Sequence, residues 1–526
     1  MATAEEAPLP GITETLDGEH IFITGGTGFV GKAVIEKLLR SVPNLGRLYV
    51  LARGKGETTA QERVEQMLQT TTLFSRCREE QPESFRKVTV VSGDIQAAGL
   101  GLSEADTELL VSNVTVIIHS AAQVRFDRPV KHALHANLLG TQHAVELGRK
   151  LHNLKAFVHV STAYINCHNL ETDEIVYKPD VPAQKLLDAV EWMDEEWTDK
   201  LTPQLLGGRP NPYILTKALT ETWIVETCSD LPLAIFRPSI VSSTAFEPIE
   251  GWTDTLNGPS GLIVSLGKGL LRTTMMDENV AIDVLPVDMC ANMLIGIMWK
   301  ILVQKPSEIL IYNGCTSPIN PTGFKSCIPW IYECIREHPY DTIFARPWAH
   351  LNVSFPVYYV EHFMFHLIPA YAYDGIMWLL GSEPRLVRLY RTIHMSTKHR
   401  AYFQCRGFKW TMNNYENLLA SMNSEDKKTF NFDMRTIVWE RYWRNLVVGT
   451  KKYLLNEDIS SENLERCRKQ YHKMRWRRYT WNFCLALAAS RFLARFKWIR
   501  QWWASMMTIL QISVQTFPIL AKILLA

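Results

Sequence analysis

A tyrosine and a lysine stand four residues apart in the stretch NPYILTKALTETWIVE, as Tyr213 and Lys217. Pro212 suits the first turn of a helix, so this stretch is predicted to be helical, with both side chains on one face. A free tyrosine has a pKa of about 10, and a nearby ammonium group lowers that pKa by favouring the phenolate. The pair is therefore a candidate for general acid catalysis at a carbonyl oxygen.

A carbonyl substrate must also be oriented, and a hydroxyl group can do this. The segment KAFVHVSTAY ends a predicted strand with Ser161 and Thr162. Open α/β sheets bind their ligands at the carboxyl ends of the strands, where these hydroxyls would lie. We prefer Thr162 for the role, with Ser161 as the alternative. Both side chains could instead cap the end of the strand.

A glycine-rich turn, FITGGTGFVG, joins a predicted strand to a predicted helix. Gly25 permits a tight turn, Gly28 lets a pyrophosphate approach the backbone, and Gly31 allows the helix to pack closely on the strand. The free N–H groups at the start of the helix can then bind phosphate. We therefore predict a dinucleotide-binding site here, which also includes Thr24.

The type of dinucleotide follows from the end of the second strand, VLAR. Arg53 occupies the place where NAD-specific enzymes carry an acidic residue, and a guanidinium group suits the 2′-phosphate of NADPH. We therefore predict NADPH as the cofactor. Asp94 and Ile95 at the next strand end are candidate contacts to the adenine, although Asp94 could equally be an ordinary loop residue. Ala121, in the segment HSAA, is a further candidate cofactor contact.

Short apolar runs alternate with helical patterns over the first third of the chain. The predicted strands lie in HIFITGG, RLYVLAR, KVTVVSGDI, VTVIIHSAA and KAFVHVSTAY, with a later one in LAIFRPSIV. This alternation predicts an α/β fold with a Rossmann-type doubly wound parallel sheet, followed by a mainly helical C-terminal domain and a hydrophobic tail. We divide the chain into an N-terminal extension (1–16), a cofactor-binding domain (17–330), a helical domain (345–458) and a tail (459–526).

Composition excludes some classes of protein. The chain has 526 residues, of which 47% are hydrophobic, and a formal net charge of +2. A nucleic-acid-binding protein usually carries a strong basic excess, so we expect no nucleic-acid partner. The ten cysteines form no C-x-x-C pair, so we expect no metal site. The N-terminal segment MATAEEAPLPG lacks the apolar core of a signal peptide.

One long apolar stretch lies in the predicted helical domain, FPVYYVEHFMFHLIPAYAYDGIMWLLG. It is interrupted by Glu361, His362, His366 and Asp374. A membrane span rarely carries so many ionisable groups. We therefore predict a buried or interfacial helix pair in preference to a membrane span.

The motifs TGGTGFVG, HSAA, NLLGT, STAY and YILTK together resemble an extended short-chain dehydrogenase/reductase. With FRPSIV, HFMFHLIPAYAYD and FNFDMRTIVWERYWRNLVVGTKKYLLNED, the chain resembles the eukaryotic fatty acyl-CoA reductases over about residues 17–458. The resemblance implies that NADPH reduces a long-chain acyl-CoA to a primary alcohol. CoA is released, and a thiohemiacetal and an aldehyde are the intermediates.

The resemblance also implies roles for individual residues. Tyr213 and Lys217 match the active-site pair of the family, and Lys217 would also hold the nicotinamide ribose. Thr27 and Phe29 belong to the matched phosphate turn, and Phe29 is a candidate cofactor contact. Asn137 matches the asparagine of the helix behind the site. It would hold a water or a backbone group that positions Lys217, or it would simply cap a helix.

Two other functions are compatible with parts of the sequence. A membrane-attached extended short-chain dehydrogenase acting on a steroid or a sugar nucleotide would share the glycine turn and the Tyr-Lys pair. Such an enzyme would need no helical domain over residues 345–460. A nucleotide-sensing or scaffolding protein that had lost catalysis would usually lack the tyrosine or the lysine, and this chain has both.

The C-terminal tail predicts membrane association. No charged residue occurs between residues 501 and 521, which is long enough to span a hydrocarbon core of ~30 Å. Basic residues and the pair Trp502 and Trp503 mark its start. Its polar residues leave open an interfacial helix that lies on the bilayer. Either form places the catalytic domain in the cytosol, at the endoplasmic reticulum or, alternatively, the peroxisome. The oligomeric state, including a homo-oligomer, stays open.

Overall fold

A computed structural model describes residues 9–179, 181–493, 495, 501 and 505–508, with some side chains beyond residue 474 left out. Most of the predicted membrane anchor, residues 501–521, therefore lies outside the described residues, and the anchor stays a prediction.

A seven-stranded parallel sheet forms the centre of the molecule. The strands are β1 Ile21–Thr24, β2 Leu48–Ala52, β3 Val88–Ser92, β4 Val116–His119, β5 Ala156–Val160, β6 Leu233–Pro238 and β7 Leu310–Gly314. Their order in the sheet is β7-β6-β5-β4-β1-β2-β3. The order reverses between β1 and β4, and this is where sheets of this type bind dinucleotides. The predicted doubly wound sheet is confirmed.

The central strands are buried along their whole length, because helices cover both faces of the sheet. The longer helices are α1 Phe29–Ser41, α2 Ala60–Thr70, α3 Glu104–Asn113, α4 Gly140–Lys150, α5 Ala183–Trp192, α6 Glu195–Leu205, α7 Pro212–Thr227, α8 Pro259–Gly267 and α9 Val287–Gln304. Among the described residues, α9 alone is long and apolar enough to cross a bilayer, and most of it is buried in the core.

The C-terminal region is mainly helical, as predicted, and short strands join it to the sheet domain. Lys409–Trp410 pairs with Glu171–Thr172, and His350–Asn352 pairs with Thr273–Met275. The longer helices here are α10 Phe324–Glu337, α11 Phe355–His362, α12 Ile368–Leu379, α13 Leu386–Gln404, α14 Asn413–Ser421, α15 Trp439–Gly449 and α16 Ser461–Leu493.

Helix α15 touches the sheet domain backbone to backbone through two glycines. A Cβ atom on Gly449 would lie 1.7 Å from the carbonyl oxygen of Gly251. A Cβ atom on Gly251 would lie 2.2 Å from the carbonyl oxygen of Asn445, and Gly251 has a φ of 72°. The close approach therefore requires glycine on both sides.

We predict that Gly449→Ala destabilises the protein. The added methyl group meets a backbone carbonyl that cannot rotate away, and overpacking of this kind costs about 1–3 kcal/mol or more. Thermal unfolding of the full chain should show a lower melting temperature.

Gly375→Ala is the matched control, since Gly375 lies inside α12 and a Cβ atom there meets nothing within 4 Å. This change should leave stability unchanged or raise it by up to ~1 kcal/mol, because alanine favours a helix interior. Equal melting temperatures for both variants would show that the contact between α15 and Gly251 is not tight.

Candidate active site

Helix α7 carries both Tyr213 and Lys217, as predicted. Its first turn is set by the sequence, because Asn211 Oδ1 accepts the N–H of Ile214 at 3.0 Å and Pro212 follows the cap. The helix begins beside the carboxyl end of β5. Tyr213 and Lys217 therefore line the same cavity as the hydroxyl residues that follow β5.

The ammonium group of Lys217 is buried and held by the sheet. Its Nζ donates a hydrogen bond of 2.6 Å to the carbonyl oxygen of Val160, the last residue of β5. Burial lowers the pKa of Lys217 to about 8, although the carboxylate of Glu221 opposes the shift. Lys217 can therefore gain or lose a proton close to neutral pH.

The pKa of the Tyr213 phenol differs from the sequence-based expectation. Burial raises the pKa of Tyr213 to about 12, and a hydrogen bond with Thr162 lowers it only in part. The sequence analysis expected Lys217 to lower this pKa, but burial raises the pKa because it penalises the phenolate. Tyr213 is therefore protonated at neutral pH and poised to donate its proton.

The two candidate hydroxyls after β5 have different surroundings. Thr162 bonds to Tyr213 and also accepts the N–H of Tyr164 at 3.4 Å. Ser161 lines the cavity too, but its buried hydroxyl has no partner within the described part of the chain. Buried hydroxyls are normally paired, so Ser161 has bonding capacity left for a ligand.

A buried ion pair lies behind Tyr213 and Lys217, and the sequence analysis did not identify it. Glu221 stands one turn after Lys217 on α7, and its carboxylate receives the guanidinium of Arg237 from β6, with Nε at 3.0 Å and Nη2 at 2.5 Å. Arg237 also donates to the carbonyl oxygens of Asp173 and Ile175. An arginine inside the apolar run LAIFRP was the available signal, because a charge in a buried strand needs a partner.

Asn137 lies in a π-helical turn, His135–Leu139, which leads into α4. Its Oδ1 accepts the N–H of Gln123 at 2.8 Å, and its Nδ2 donates to Thr216 Oγ1 at 2.9 Å. Asn137 thus ties the segment after β4 to the residue that precedes Lys217. The side chain of Asn137 therefore bridges two segments and does not cap a helix.

The glycine turn has no room for side chains. A Cβ atom on Gly25 would lie 2.7 Å from the backbone nitrogen of Ala121, and one on Gly31 would lie 2.3 Å from the carbonyl oxygen of Gly25. Gly28 is the N-cap of α1 and has no side chain to occupy the first free N–H groups. The turn therefore fits a phosphate group at the N-terminus of α1.

The other predicted cofactor contacts differ in exposure. Phe29 lines the cavity and stacks on Trp252 at 5.4 Å. The side chain of Thr24 is buried instead. Its hydroxyl bonds to His119 Nδ1 at 2.8 Å and accepts the N–H of Ala121 at 3.2 Å, so it holds β1 to the end of β4.

Ile95, which follows β3, packs against Gly140 of α4, and its carbonyl oxygen contacts His143 Nδ1 at 3.0 Å.

Arg53 and Asp94 lie at the ends of β2 and β3 and pair with each other at 3.0 Å. Both groups reach solvent, since their side chains are 66% and 35% exposed. The guanidinium of Arg63 also reaches this edge and donates to the carbonyl oxygen of Arg53. Two arginines are thus present where a 2′-phosphate was predicted.

A cavity of about 920 Å³ extends from Tyr213, Thr162 and Lys217 into the helical region. Its wall is largely apolar, with side chains from α8, α10 and α13 that include Leu262, Leu266, Ile328, Ile331, Met395 and Phe403. A cavity of this size is within the range of small-molecule sites. The sequence analysis did not identify the side chains that form its wall.

Comparisons with known proteins agree with this architecture. A family model described as male sterility protein matches residues 23–294, and a second model with the same description matches residues 365–457. Among solved structures, the terminal reductase domain of a myxalamid biosynthetic pathway aligns with a TM-score of 0.55 at 17% identity, covering 86% of this chain and 95% of that one. The reductase domain of a nonribosomal peptide synthetase from Mycobacterium tuberculosis aligns with a TM-score of 0.54 at 18% identity, covering 85% of this chain and 94% of that one. At these identities the structures show the fold.

Relatives in sequence are more informative. Fatty acyl-CoA reductase 1 of Homo sapiens is 38% identical over 493 residues, which cover 94% of this chain and 95% of the relative. Fatty acyl-CoA reductase 2 of Mus musculus is 37% identical over 486 residues, which cover 92% of this chain and 94% of the relative. The first family model, over residues 23–294, is that of a dinucleotide-binding region and includes the glycine turn. This match indicates a nicotinamide cofactor. The predicted family is confirmed, and the chain belongs to the fatty acyl-CoA reductases.

Proposed function

We propose that this protein reduces long-chain fatty acyl-CoA to primary fatty alcohol with NADPH and releases CoA. The observation that carries the proposal is the apolar cavity of about 920 Å³ with Tyr213, Thr162 and Lys217 in its wall. A fatty acyl chain needs an apolar channel, and its thioester needs a proton donor at the carbonyl oxygen. The names of the sequence relatives support the same substrate class over a steroid or a sugar nucleotide.

Tyr213 is the proton donor in this proposal. NADPH, when bound, supplies the hydride for each of the two reductions. The hydroxyl of Tyr213 hydrogen-bonds the substrate oxygen and stabilises the negative charge that develops there, with Thr162 as the second hydroxyl and Ser161 as the alternative. The raised pKa of Tyr213 supports this role, because the group keeps its proton until the substrate oxygen becomes basic.

Lys217 completes the proton path. Its lowered pKa, about 8, supports exchange of a proton with Tyr213 near neutral pH. The hydrogen bond to Val160 and the carboxylate of Glu221 keep the ammonium group in place. Asn137 contributes indirectly, since it holds the backbone at Gln123 and the hydroxyl of Thr216 beside Lys217.

The preference for NADPH rests on Arg53. Its exposed guanidinium, with that of Arg63 nearby, supports binding of a 2′-phosphate at the carboxyl end of β2. Asp94 pairs with Arg53 at 3.0 Å, and a phosphate would compete with Asp94 for the guanidinium group. Asp94 and Ile95 stay candidates for the adenine, and Ala121 for a backbone contact.

We also propose that the tail after residue 458 attaches the enzyme to a membrane, with the catalytic domain in the cytosol. The uncharged stretch between residues 501 and 521, with basic residues before it, supports either a span or an interfacial helix. The endoplasmic reticulum is the preferred location and the peroxisome the alternative. A long-chain alcohol is insoluble, so release beside a bilayer favours turnover.

The stoichiometry tests the proposed function directly. We expect two NADPH to be oxidised for each acyl-CoA, with one free thiol and one alcohol formed. NADPH absorbance, a thiol reagent and product chromatography measure the three quantities. Accumulation of aldehyde at one NADPH per thiol would contradict the four-electron assignment.

Tyr213→Phe tests the proton donor. The variant keeps the ring but loses the hydroxyl, so it should fold, bind NADPH and lose about 10²–10⁴-fold in turnover. Cofactor binding can be followed by fluorescence and turnover by NADPH oxidation. Tyr332→Phe is the control, because Tyr332 also lines the cavity but its hydroxyl bonds to the N–H of Ala349. Substantial activity in Tyr213→Phe would assign the proton donor to another group.

Arg53→Asp tests the choice of cofactor. The new carboxylate repels a 2′-phosphate, so the KM for NADPH should rise by about tenfold or more while that for NADH changes little. Arg47→Asp makes the same charge change before β2, at the opposite end of the strand, and should leave both values unchanged. An unaltered NADPH/NADH ratio in Arg53→Asp would move the phosphate contact elsewhere, with Arg63 as the next candidate.

A further inference from the structure

Helices α11 and α12 are joined by the π-helical turn Phe363–Leu367. They bury polar side chains and expose apolar ones, which is the reverse of an ordinary surface helix. The inward side chains recur every four residues and are all buried: Tyr358, His362, His366, Ala370 and Asp374. The outward side chains are apolar or aromatic and exposed: Val357, Tyr359, Val360, Phe363, Met364, Phe365, Ile368, Tyr371, Tyr373, Ile376, Trp378, Leu379 and Leu380. We call these outward residues the apolar face.

The inward polar groups have protein partners that fix this orientation. Asp374 accepts the N–H groups of Arg385, Leu386 and Val387 at 3.2, 3.0 and 2.8 Å, and so caps the start of α13. His366 Nε2 accepts the N–H of Arg272 at 2.9 Å. Rotation of the helices to bury the apolar face would break all of these bonds, so the exposure is built into the fold.

The exposure of the apolar face is extensive. Trp378, Leu379 and Leu380 are 69%, 76% and 72% exposed, so no described residue covers them. Between residues 353 and 381, the acidic and histidine residues are Glu361, His362, His366 and Asp374. All of them bond within the protein. Soluble proteins rarely expose a contiguous apolar patch of this extent unless it binds something.

Basic residues border the apolar face on α13. Arg388, Arg391 and Lys398 are exposed on this helix, and Arg391 donates to the hydroxyl of Tyr371 at 3.2 Å. Arg385, just before the helix, is exposed too but pairs with Glu383. Apolar side chains, tyrosine and tryptophan, and a basic border are the pattern of a surface that lies in the headgroup region of a bilayer. Anionic lipid headgroups complement that border.

We propose that the apolar face docks into one leaflet of a lipid bilayer, as a contact separate from the C-terminal tail. A second copy of the chain fits less well, because a symmetric contact would bring the two arginine borders together. The chain's own tail fits less well too, because Arg491, Arg495, Lys497 and Arg500 give its approach the same charge.

The docked face lies beside the cavity. Helix α13 packs on α12 with one face and lines the cavity with Thr392, Met395 and Ser396. Met395 and Trp348 both line the cavity and are exposed, so part of the cavity wall lies at the surface here. Trp348 stacks on His350, and His350 bonds to Glu361 of α11. A docked enzyme would therefore hold this part of the cavity wall next to the membrane.

Lipid photolabelling of the full chain tests the docking. The protein is bound to vesicles of phosphatidylcholine and phosphatidylserine that contain a lipid with a diazirine in its acyl chain. After irradiation, labelled peptides are mapped by mass spectrometry. We expect label in peptides that cover residues 355–380, in addition to any label in the tail.

A triple variant tests the apolar face by combining Phe365→Asp, Ile376→Asp and Leu379→Asp. It changes only exposed side chains and should melt at the same temperature as the parent protein. Label in residues 355–380 should fall by about tenfold or more, because charged groups oppose insertion, while label in the tail persists. The control is Trp192→Asp with Trp197→Asp on α5 and α6, since these tryptophans are exposed on other helices. This control should keep the label in residues 355–380.

Two results would overturn the proposal. Absence of label in residues 355–380, with cross-links between chains at these residues, would assign the apolar face to a second copy. Absence of label with cross-links to residues 494–526 of the same chain would assign it to the tail. Each result concerns the docking alone, since NADPH-dependent alcohol formation is measured separately.

Discussion

A single buried carboxylate, that of Glu221, balances two buried cations, and the arrangement of the candidate active site depends on it. Arg237 reaches Glu221 from β6, and Lys217 stands one turn away on α7. A charge without a partner in this interior would be expensive, and removal of one member of such a pair typically costs about 3–5 kcal/mol. The geometry is therefore tightly specified: α7 must lie where Glu221 meets Arg237, and this places Tyr213 and Lys217 at the end of β5.

The cavity links that arrangement to the helical region. Helix α7 and the end of β5 supply the polar end, with Tyr213, Lys217 and Thr162, and helices α8, α10 and α13 supply apolar side chains to the wall. The wall has to sit close to the sheet, and the backbone contact between Gly449 and Gly251 allows this. The hydroxyls and the ammonium group at the polar end thus share one cavity with the apolar wall.

Helices α11 and α12 add a different constraint, which fixes the side of each helix that is exposed. Their polar groups are held by bonds to α13 and to the segment at Arg272, so the apolar face must remain outside. The sequence analysis expected a buried or interfacial helix pair. In the structure, one side of the pair is buried and polar, and the other side is exposed and apolar. Docking of this face, as proposed, would hold the cavity beside the bilayer, where long-chain substrates concentrate.

The sequence by itself determined the parallel sheet, the glycine turn and the Tyr-Lys pair, because strand patterns, backbone freedom and helical spacing are local properties. It did not reveal β7, and it misjudged the pKa of Tyr213, which is set by burial among residues far apart in the chain. The tertiary structure alone decided that Glu221 meets Arg237, that Arg53 pairs with Asp94, and that Thr24 faces inward to His119. Each of these pairs joins separate elements, and the packing of those elements, rather than any local pattern, sets which charges meet and which apolar surface stays uncovered.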